Sequence, residues 1–421
     1  MRRLLLILPS ATYRAADFMA AARSLGVAVT VASERRSTLD AVMGPRALTV
    51  DLSDPCRAAQ AIVARARHTD FAAIVAVDDQ GALTAALAAE ELGLAHNPSA
   101  AVARTRDKAA MRRALARAGV PQPRFAVLDA GVDGSAAVAE TGWPCVIKPL
   151  SLSGSRGVIR ADDHRQMAAS VARVRAISID AGEAQPASLL IESYLPGVEV
   201  AVEGLLRCGN LTVLAVFDKP DPLEGPYFEE TLYVTPSRLP ADVLDRVHEL
   251  TALAAEALGL REGPIHAELR VDGRDVGLLE LGARSIGGLC GRALRFGLGI
   301  TLEELILRHA LGAGDEELAR EATSAGVMMI PIPRPGVLVG VDGLTDARAV
   351  AGIDGVHITI PTGRPVVPLP EGDRYLGFLF ARDRDGPGAV ESALREAHSR
   401  LQIRIGSASE RGTGDVPAAV G

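Results

Sequence analysis

Short apolar runs alternate with Ala-rich stretches over the first hundred residues, and few architectures tolerate that pattern. Leu4–Leu8 reads as a buried strand that stops at Pro9, Arg14–Leu25 as a helix and Val27–Val31 as a second strand. Ala47–Val50 and Ala72–Val77 read as further strands, the latter followed by a helix over Gly81–Leu92. Strands separated by helices are the signature of parallel βαβ units. Gly-x-Gly-x-x-Gly is absent after the first strand, so the unit carries no dinucleotide fingerprint and serves as a scaffold. A ligand at the carboxyl ends of its strands would meet Asp78 and Asp79. The run Leu4–Leu8 is too short for a secretory signal, and no run reaches the length of a membrane span.

At 421 residues the chain calls for two or three domains. Its 48% hydrophobic and 23% charged residues are a globular balance. A formal net charge of -7 argues against nucleic acid as the partner, and 3% aromatics argues against base-stacking platforms. Cys56, Cys145, Cys208 and Cys290 are scattered, with neither zinc-site nor disulfide spacing, which suits reduced thiols in a cytoplasmic protein.

Beyond residue 104 the pattern changes. A helix over Asp107–Ala118, ended by Gly119 and Pro121, precedes strands at Phe125–Leu128, Cys145–Lys148, Leu189–Glu192 and Val200–Leu205, joined by Gly-rich turns. Leu211–Leu281 is mostly strand with one helix around Val243–Leu258, and a helix at Leu302–Gly312 closes the region. Val327–Ile332, Val337–Val341, His357–Ile360 and Tyr375–Ala381 read as strands of a third unit, with a helix over Gly388–Leu401. The Gly/Ser/Pro-rich tail after Ser407 is expected to be disordered. The expected domains are 1–104, 105–324 and 325–406, with a tail at 407–421.

The residues that carry chemistry lie in the middle. Glu268 and Glu280 sit on apolar segments joined by a turn at Asp272-Gly273, so they face each other across a hairpin, with Arg284 close behind. Buried carboxylates need cations, and hard divalent metals bridging nucleotide phosphates would supply them. The strand ending in Lys148 runs into Ser153-Gly-Ser-Arg-Gly157, where glycine lets backbone amides approach a phosphate and Lys148 adds a cation. It is not a P-loop. Lys108 offers a second cation at a helix start, although Arg112 and Arg113 also fit a solvated basic face. Ile191-Glu-Ser-Tyr-Leu195 suits a purine, and Glu199 suits ribose hydroxyls.

Lys108, Lys148 with its loop, Glu192-x-Tyr194-Leu195 with Glu199, Glu268, and Glu280 with Arg284 follow one another in an order that resembles the ATP-grasp superfamily. Gly263-Pro-Ile-His-Ala-Glu268 and Glu280-Leu-Gly-Ala-Arg284 look most like carboxylate–amine ligases. The stretch from Val327 to Val337 is similar to the C-terminal domain of L-amino-acid ligases. The fold implied is an N-terminal βαβ, Rossmann-like domain, a central ATP-grasp domain and a small α+β C-terminal domain. The resemblance implies ATP with Mg²⁺ (or Mn²⁺), with Lys108 and Lys148 on phosphates and Ser153, Gly154, Ser155 and Gly157 covering them. It implies Glu192, Tyr194 and Leu195 at adenine, Glu199 at ribose, Glu268 and Glu280 on the metal, and Arg284 beside the acyl phosphate. Where many members carry a metal-binding Asn, this chain has Gly282.

The activity implied is amide formation between a small-molecule carboxylate and an amine, with amino acids as the expected substrates, through an acyl phosphate. The relatives implied are often homodimers. Lys219, Tyr227, Phe228 and Glu229 lie where a substrate contact and ordinary packing are equally good readings. Ser285, Gly287 and Gly288 offer backbone amides to a carboxylate, or simply a tight turn, and His266 shares a strand face with Glu268. Two other readings stand beside this one. A biotin-carboxylase-like enzyme is disfavoured by Ser-Ile-Gly-Gly-Leu after Arg284, and a non-catalytic ATP-binding module is disfavoured by the intact charged set.

Overall fold

The leucine and valine runs near the amino terminus form a four-stranded parallel sheet. Its order is Ala47–Thr49, Ala28–Ser33, Arg3–Ile7 and Ala73–Ala76. The computed structural model describes residues 2–35, 44–132, 134–183, 187–297, 299–313 and 319–407. Helices Ala15–Ser24, Pro55–Ala66 and Asp79–Leu92 accompany these strands. Asp54 starts the second by accepting from the Arg57 amide at 3.0 Å, a capping signal the sequence reading passed over. Asp78 caps the third, which puts Asp78 and Asp79 at the carboxyl end of the last strand.

A second sheet is antiparallel, in the order Phe125–Leu128, Leu189–Ser193, Cys145–Pro149 and Ile159–Ala161. Two helices stand where only turns were expected, Ser135–Thr141 and His164–Asp180. The longer one buries Met167, Ser170, Val174 and Ile177, a stripe diluted by serine and flanked by arginines, so its periodicity is weak. Its start was legible: Asp163 accepts from the Gln166 amide at 2.8 Å and Gln166 reaches back to the Asp162 amide at 3.0 Å.

The largest sheet has eight antiparallel strands. Their order is Asp275–Gly282, Gly263–Asp272, Val198–Arg207, Asn210–Lys219, Leu232–Thr235, Ser324–Ile330, Gly377–Asp383 and Ile353–Ile358. Alternation along Val198–Arg207 sends Val200, Val202 and Leu206 toward helix Ala241–Leu258, and Ala201 and Leu205 toward the amino-terminal unit. Each valine or leucine side chain sealed in this way contributes about 2 kcal/mol. The sheet is continuous across residues 324 and 325, since Ser324–Ile330 pairs with Leu232–Thr235 on one side and Gly377–Asp383 on the other. Helix Pro387–Ser399 covers that end, and a strand at Gln402–Gly406, absent from the sequence reading, pairs with Gly336–Asp342. The tail from residue 408 lies outside the described residues, and no helix among them is long and apolar enough to cross a membrane.

Gly326 sits where these parts meet. A Cβ there would lie 2.7 Å from Val390 Cγ1 and 2.9 Å from the Tyr233 carbonyl oxygen. Because the carbonyl belongs to a paired strand and cannot retreat, Gly326→Ala should cost about 1–3 kcal/mol in urea unfolding. Unchanged stability would contradict the close approach.

Candidate functional site

A cavity of about 450 Å³ opens where the three regions converge. The carboxyl ends of the parallel strands bring Thr12, Arg14, Asp78 and Asp79 to one wall. The glycine loop and the hinge after Leu189–Ser193 form another, and Asp373 and Tyr375 reach it from the third unit.

Lys148 and Glu192 lie on neighbouring antiparallel strands whose register pairs Val146 with Glu192 and Lys148 with Leu190. Their side chains therefore share a face, and Lys148 Nζ lies 2.6 Å from Glu192 Oε2. Arg112 Nε donates to the other oxygen at 2.5 Å, and Arg112 Nη2 donates to the Leu279 carbonyl at 2.5 Å. Arg112 is fully buried, not part of a solvated basic face. Burial alone would push the Glu192 carboxyl up, but Arg112 and Lys148 overcome it and bring the pKa down to about 2. The Glu192 side chain thus holds Lys148.

Lys108 begins helix Lys108–Arg117, behind an Asp107 cap that accepts from the Ala109 and Ala110 amides. Its Nζ donates to the Leu152 carbonyl at 2.6 Å and lies 3.3 Å from Glu280 Oε1, tying the glycine loop to the hairpin. Gly154, Ser155 and Gly157 have φ of 65°, 56° and 72°. The left-handed conformation costs the non-glycine Ser155 roughly 1 kcal/mol. Ser153, Gly154 and Ser155 line the cavity; Gly157 sits behind it against Pro149.

At the hinge, Tyr194 and Leu195 line the cavity, and the guanidinium groups of Arg160 and Arg270 lie 4.5 and 5.6 Å from the Tyr194 ring centroid. Glu199 is buried, with Lys219 Nζ 2.6 Å from one oxygen and Arg270 Nε 3.0 Å from the other. Lys219 also lies 2.7 Å from Glu230 and 3.0 Å from Glu268. Burial disfavours its charge, yet the three carboxylates hold its pKa well above the ordinary lysine value.

Glu268 and Glu280 are register partners across the hairpin, whose turn includes Gly273 with φ of 60°. Their side chains keep 21% and 34% exposure, against 2% for Glu192 and 1% for Glu203, so these two acids stay open to a ligand while the others are sealed. A pair of open carboxylates fits a hard divalent cation. Glu199, Glu230 and Glu268 also have oxygens within 4.8 Å of one another, but Lys219 already sits among them. Burial tends to raise the Glu268 pKa; Lys219 and then His266 reverse this and hold it well below the usual carboxylate range. A Cβ at Gly282 would have Arg284 atoms as its nearest neighbours, at 3.7–3.8 Å, an ordinary van der Waals contact.

Arg284 Nε donates to Asp79 Oδ2 at 2.8 Å, linking the amino-terminal unit to the hairpin. Burial pushes the Asp79 carboxyl up, but Arg284 and Arg106 pull it below its ordinary value. His266 is opposed by burial but carried by Glu203 to a pKa of about 9, so at neutral pH its Nδ1 donates to Glu203 Oε1 at 2.5 Å. Its Nε2 faces Glu268 Oε1 at 3.6 Å. The second Glu203 oxygen accepts from the Ile286 amide at 3.0 Å, fixing the turn after Arg284. Gly287 and Gly288 line the cavity, whereas Ser285 is buried beside it.

Tyr227 and Glu229 do not line the cavity; Phe228 and Glu230 do. Tyr227 lies outside, its hydroxyl accepting from Arg173. Burial, with Glu268 adding to it against Lys219, raises the Glu230 pKa to about 7. Glu203, Glu230 and Arg270 were given no role by the sequence reading, Arg112 was read as part of a basic helix face, and Asp79 was named only as a ligand candidate at the strand ends. For Arg112 a signal existed, because Lys108, Met111, Arg112 and Leu115 share one buried helix face.

Residues 19–96 match the ATP-grasp N-terminal domain family, 141–293 the ATP-grasp domain family and 328–406 the L-amino acid ligase C-terminal domain 2 family. Alanine–anticapsin ligase of Bacillus subtilis is 30% identical over 239 residues, covering 53% of this chain and 50% of its own length. D-alanine–D-alanine ligase of Cupriavidus taiwanensis is 29% identical over 233 residues, covering 52% of this chain and 68% of its own. The chain spans about half the length of the alanine–anticapsin ligases it matches. Among solved structures, an L-amino acid ligase from Bacillus licheniformis shares the fold with a TM-score of 0.80 at 24% identity, over 97% of this chain and 99% of that one. The chain carries ATP-grasp domains followed by an L-amino acid ligase C-terminal domain, and the ATP-grasp fold implies use of ATP.

The folded Glu192 pKa of about 2 lies below the ordinary 4.5, so the unfolded chain binds this proton more readily. The resulting stabilisation, about 3 kcal/mol, is complete above pH 4.5 and fades as pH falls toward 2. Glu192→Gln should cost about 3–5 kcal/mol at pH 7 in urea unfolding, because Arg112 and Lys148 lose their counter-charge. The variant should also lose this part of the acid dependence; an acid slope equal to that of the wild type would refute the assignment.

Proposed function

We propose that this chain, with units at 1–104, 105–324 and 325–406, is an ATP-dependent ligase that joins the carboxylate of one amino acid to the amine of another. The observation that carries the reading is the pair Glu268 and Glu280, opposed in register, open to the cavity and ringed by Lys108, Lys219 and His266 beside Arg284. The names of the similar proteins, alanine–anticapsin ligase, D-alanine–D-alanine ligase and L-amino acid ligase, favour amino acids as the substrates.

A carboxylate is a poor acyl donor because oxide would have to leave. Transfer of the γ-phosphoryl group from ATP, a substrate here, makes that oxygen the bridge of an acyl phosphate, a mixed anhydride, and releases ADP. The amine nitrogen then forms the C–N bond, and the C–O bond to phosphate breaks. ADP and phosphate are the by-products, and the amine gives up a proton. In this reading Tyr194, Leu195 and Glu199 seat the nucleoside, and Lys148 and Lys108 meet the phosphates. Ser153–Gly157 covers them against water. Glu268 and Glu280 would hold Mg²⁺ (or Mn²⁺), which would supply charge neutralisation at the phosphates. Arg284 faces the oxyanion that forms as the amine adds, with Asp79 fixing its guanidinium. Use of ATP is consistent with a cytoplasmic setting.

The test is phosphate release from ATP with Mg²⁺ over a matrix of amino-acid pairs, with product masses recorded. Release that requires two amino acids, with a product lighter than their sum by one water, is expected. Arg284→Gln should lower kcat about 10²–10³-fold. ATP binding without any amide across the matrix would sink the reading.

A further inference from the structure

The segment from Pro368 to Tyr375, in the third unit, joins the cavity to the back of the glycine loop. The Gly157 amide donates to the Pro370 carbonyl at 2.9 Å, and Arg156 Nε donates to the Glu371 carbonyl at 3.0 Å. The Glu371 carboxylate takes a two-pronged pair from Arg173 on helix His164–Asp180, at 2.5 and 3.0 Å. Arg173 in turn donates to the Tyr227 hydroxyl and lies 5.0 Å over that ring. Tyr227 bridges through its backbone to Ile159, just beyond the loop. At the other end of the same segment, Asp373 and Tyr375 line the cavity.

A Ser/Gly loop has few apolar contacts of its own and opens readily unless something holds it. Here the hold comes from a segment some two hundred residues away in sequence. We infer that Glu371, with Arg173 as its partner, is a positioning residue that keeps the glycine loop shut while the amide bond forms. The third unit thereby sets how much acyl phosphate is lost to water. In that loss water adds to the carbonyl carbon, the C–O bond to phosphate breaks, and carboxylate and phosphate leave. The net reaction is then ATP hydrolysis. The inference rests on the ligase reading and assigns Tyr227 to the clasp, outside the substrate seat.

The measurement is amide formed per ADP released, at saturating ATP and amino acids, on the full chain. Glu371 and Arg173 keep 41% and 42% side-chain exposure, so their substitutions leave the core alone. Glu371→Arg and Arg173→Glu should each lower the ratio roughly three- to fivefold while ADP release continues. The double variant, with the charges exchanged, should restore the ratio. Single variants that keep the wild-type ratio, or that alter only KM for ATP, would overturn the inference. If the wild type forms no amide with any pair, the ligase reading has failed, and trypsin cleavage after Arg156 then decides the clasp. Glu371→Arg should speed that cleavage severalfold; an unchanged rate would remove the clasp.

Discussion

Glu192, Glu199, Glu230, Glu268 and Glu280 line one cleft with Glu203 buried behind it, and so many carboxylates cannot leave water unless cations or N–H groups go with them. Each has such a partner. Arg112 and Lys148 flank Glu192, Arg270 and Lys219 hold Glu199, and His266 and the Ile286 amide hold Glu203. Lys219 also serves Glu230 and Glu268, and Lys108 serves Glu280. The partners differ in what they leave free. Glu192 and Glu203 are sealed and act as struts, whereas Glu268 and Glu280 keep an open side toward the cavity. Lys219 serves three acids at once and so does the work that would otherwise fall to an ion among them.

This charge network also assembles the chain. Arg112 reaches from its helix to the hairpin carbonyl of Leu279, Arg284 reaches back to Asp79, and Lys108 connects the glycine loop with Glu280. The amino-terminal sheet and the eight-stranded sheet share a core, the four-stranded antiparallel sheet has its own, and these ion pairs fix all three to each other at the cavity. Continuity of the eight-stranded sheet past residue 324 brings the third unit into the same frame and delivers Asp373 and Tyr375 to the cavity and Glu371 to the back of the glycine loop.

Much of this could be read from the sequence, for a local reason. Lys148 and Glu192 end apolar strands, Glu268 and Glu280 flank an Asp-Gly turn, and Gly119 marks a helix end with φ of 69°. Alternation placed His266 on the face of Glu268, and the two side chains do meet there. What stayed hidden depends on distant pairs. Nothing near Arg112 announces Glu192 eighty positions later, and nothing near Arg284 announces Asp79 more than two hundred positions earlier. Tyr227, Phe228, Glu229 and Glu230 lie outside regular strands, where alternation gives no rule, so which of them would face the cavity could not be foreseen.

The account turns on an acyl phosphate made from the substrate carboxylate, and a heavy-oxygen label in that carboxylate tests it most directly. One labelled oxygen should appear in the released phosphate for every amide formed, detected by mass spectrometry. Label found in AMP, or lost to water while phosphate stays unlabelled, would contradict it.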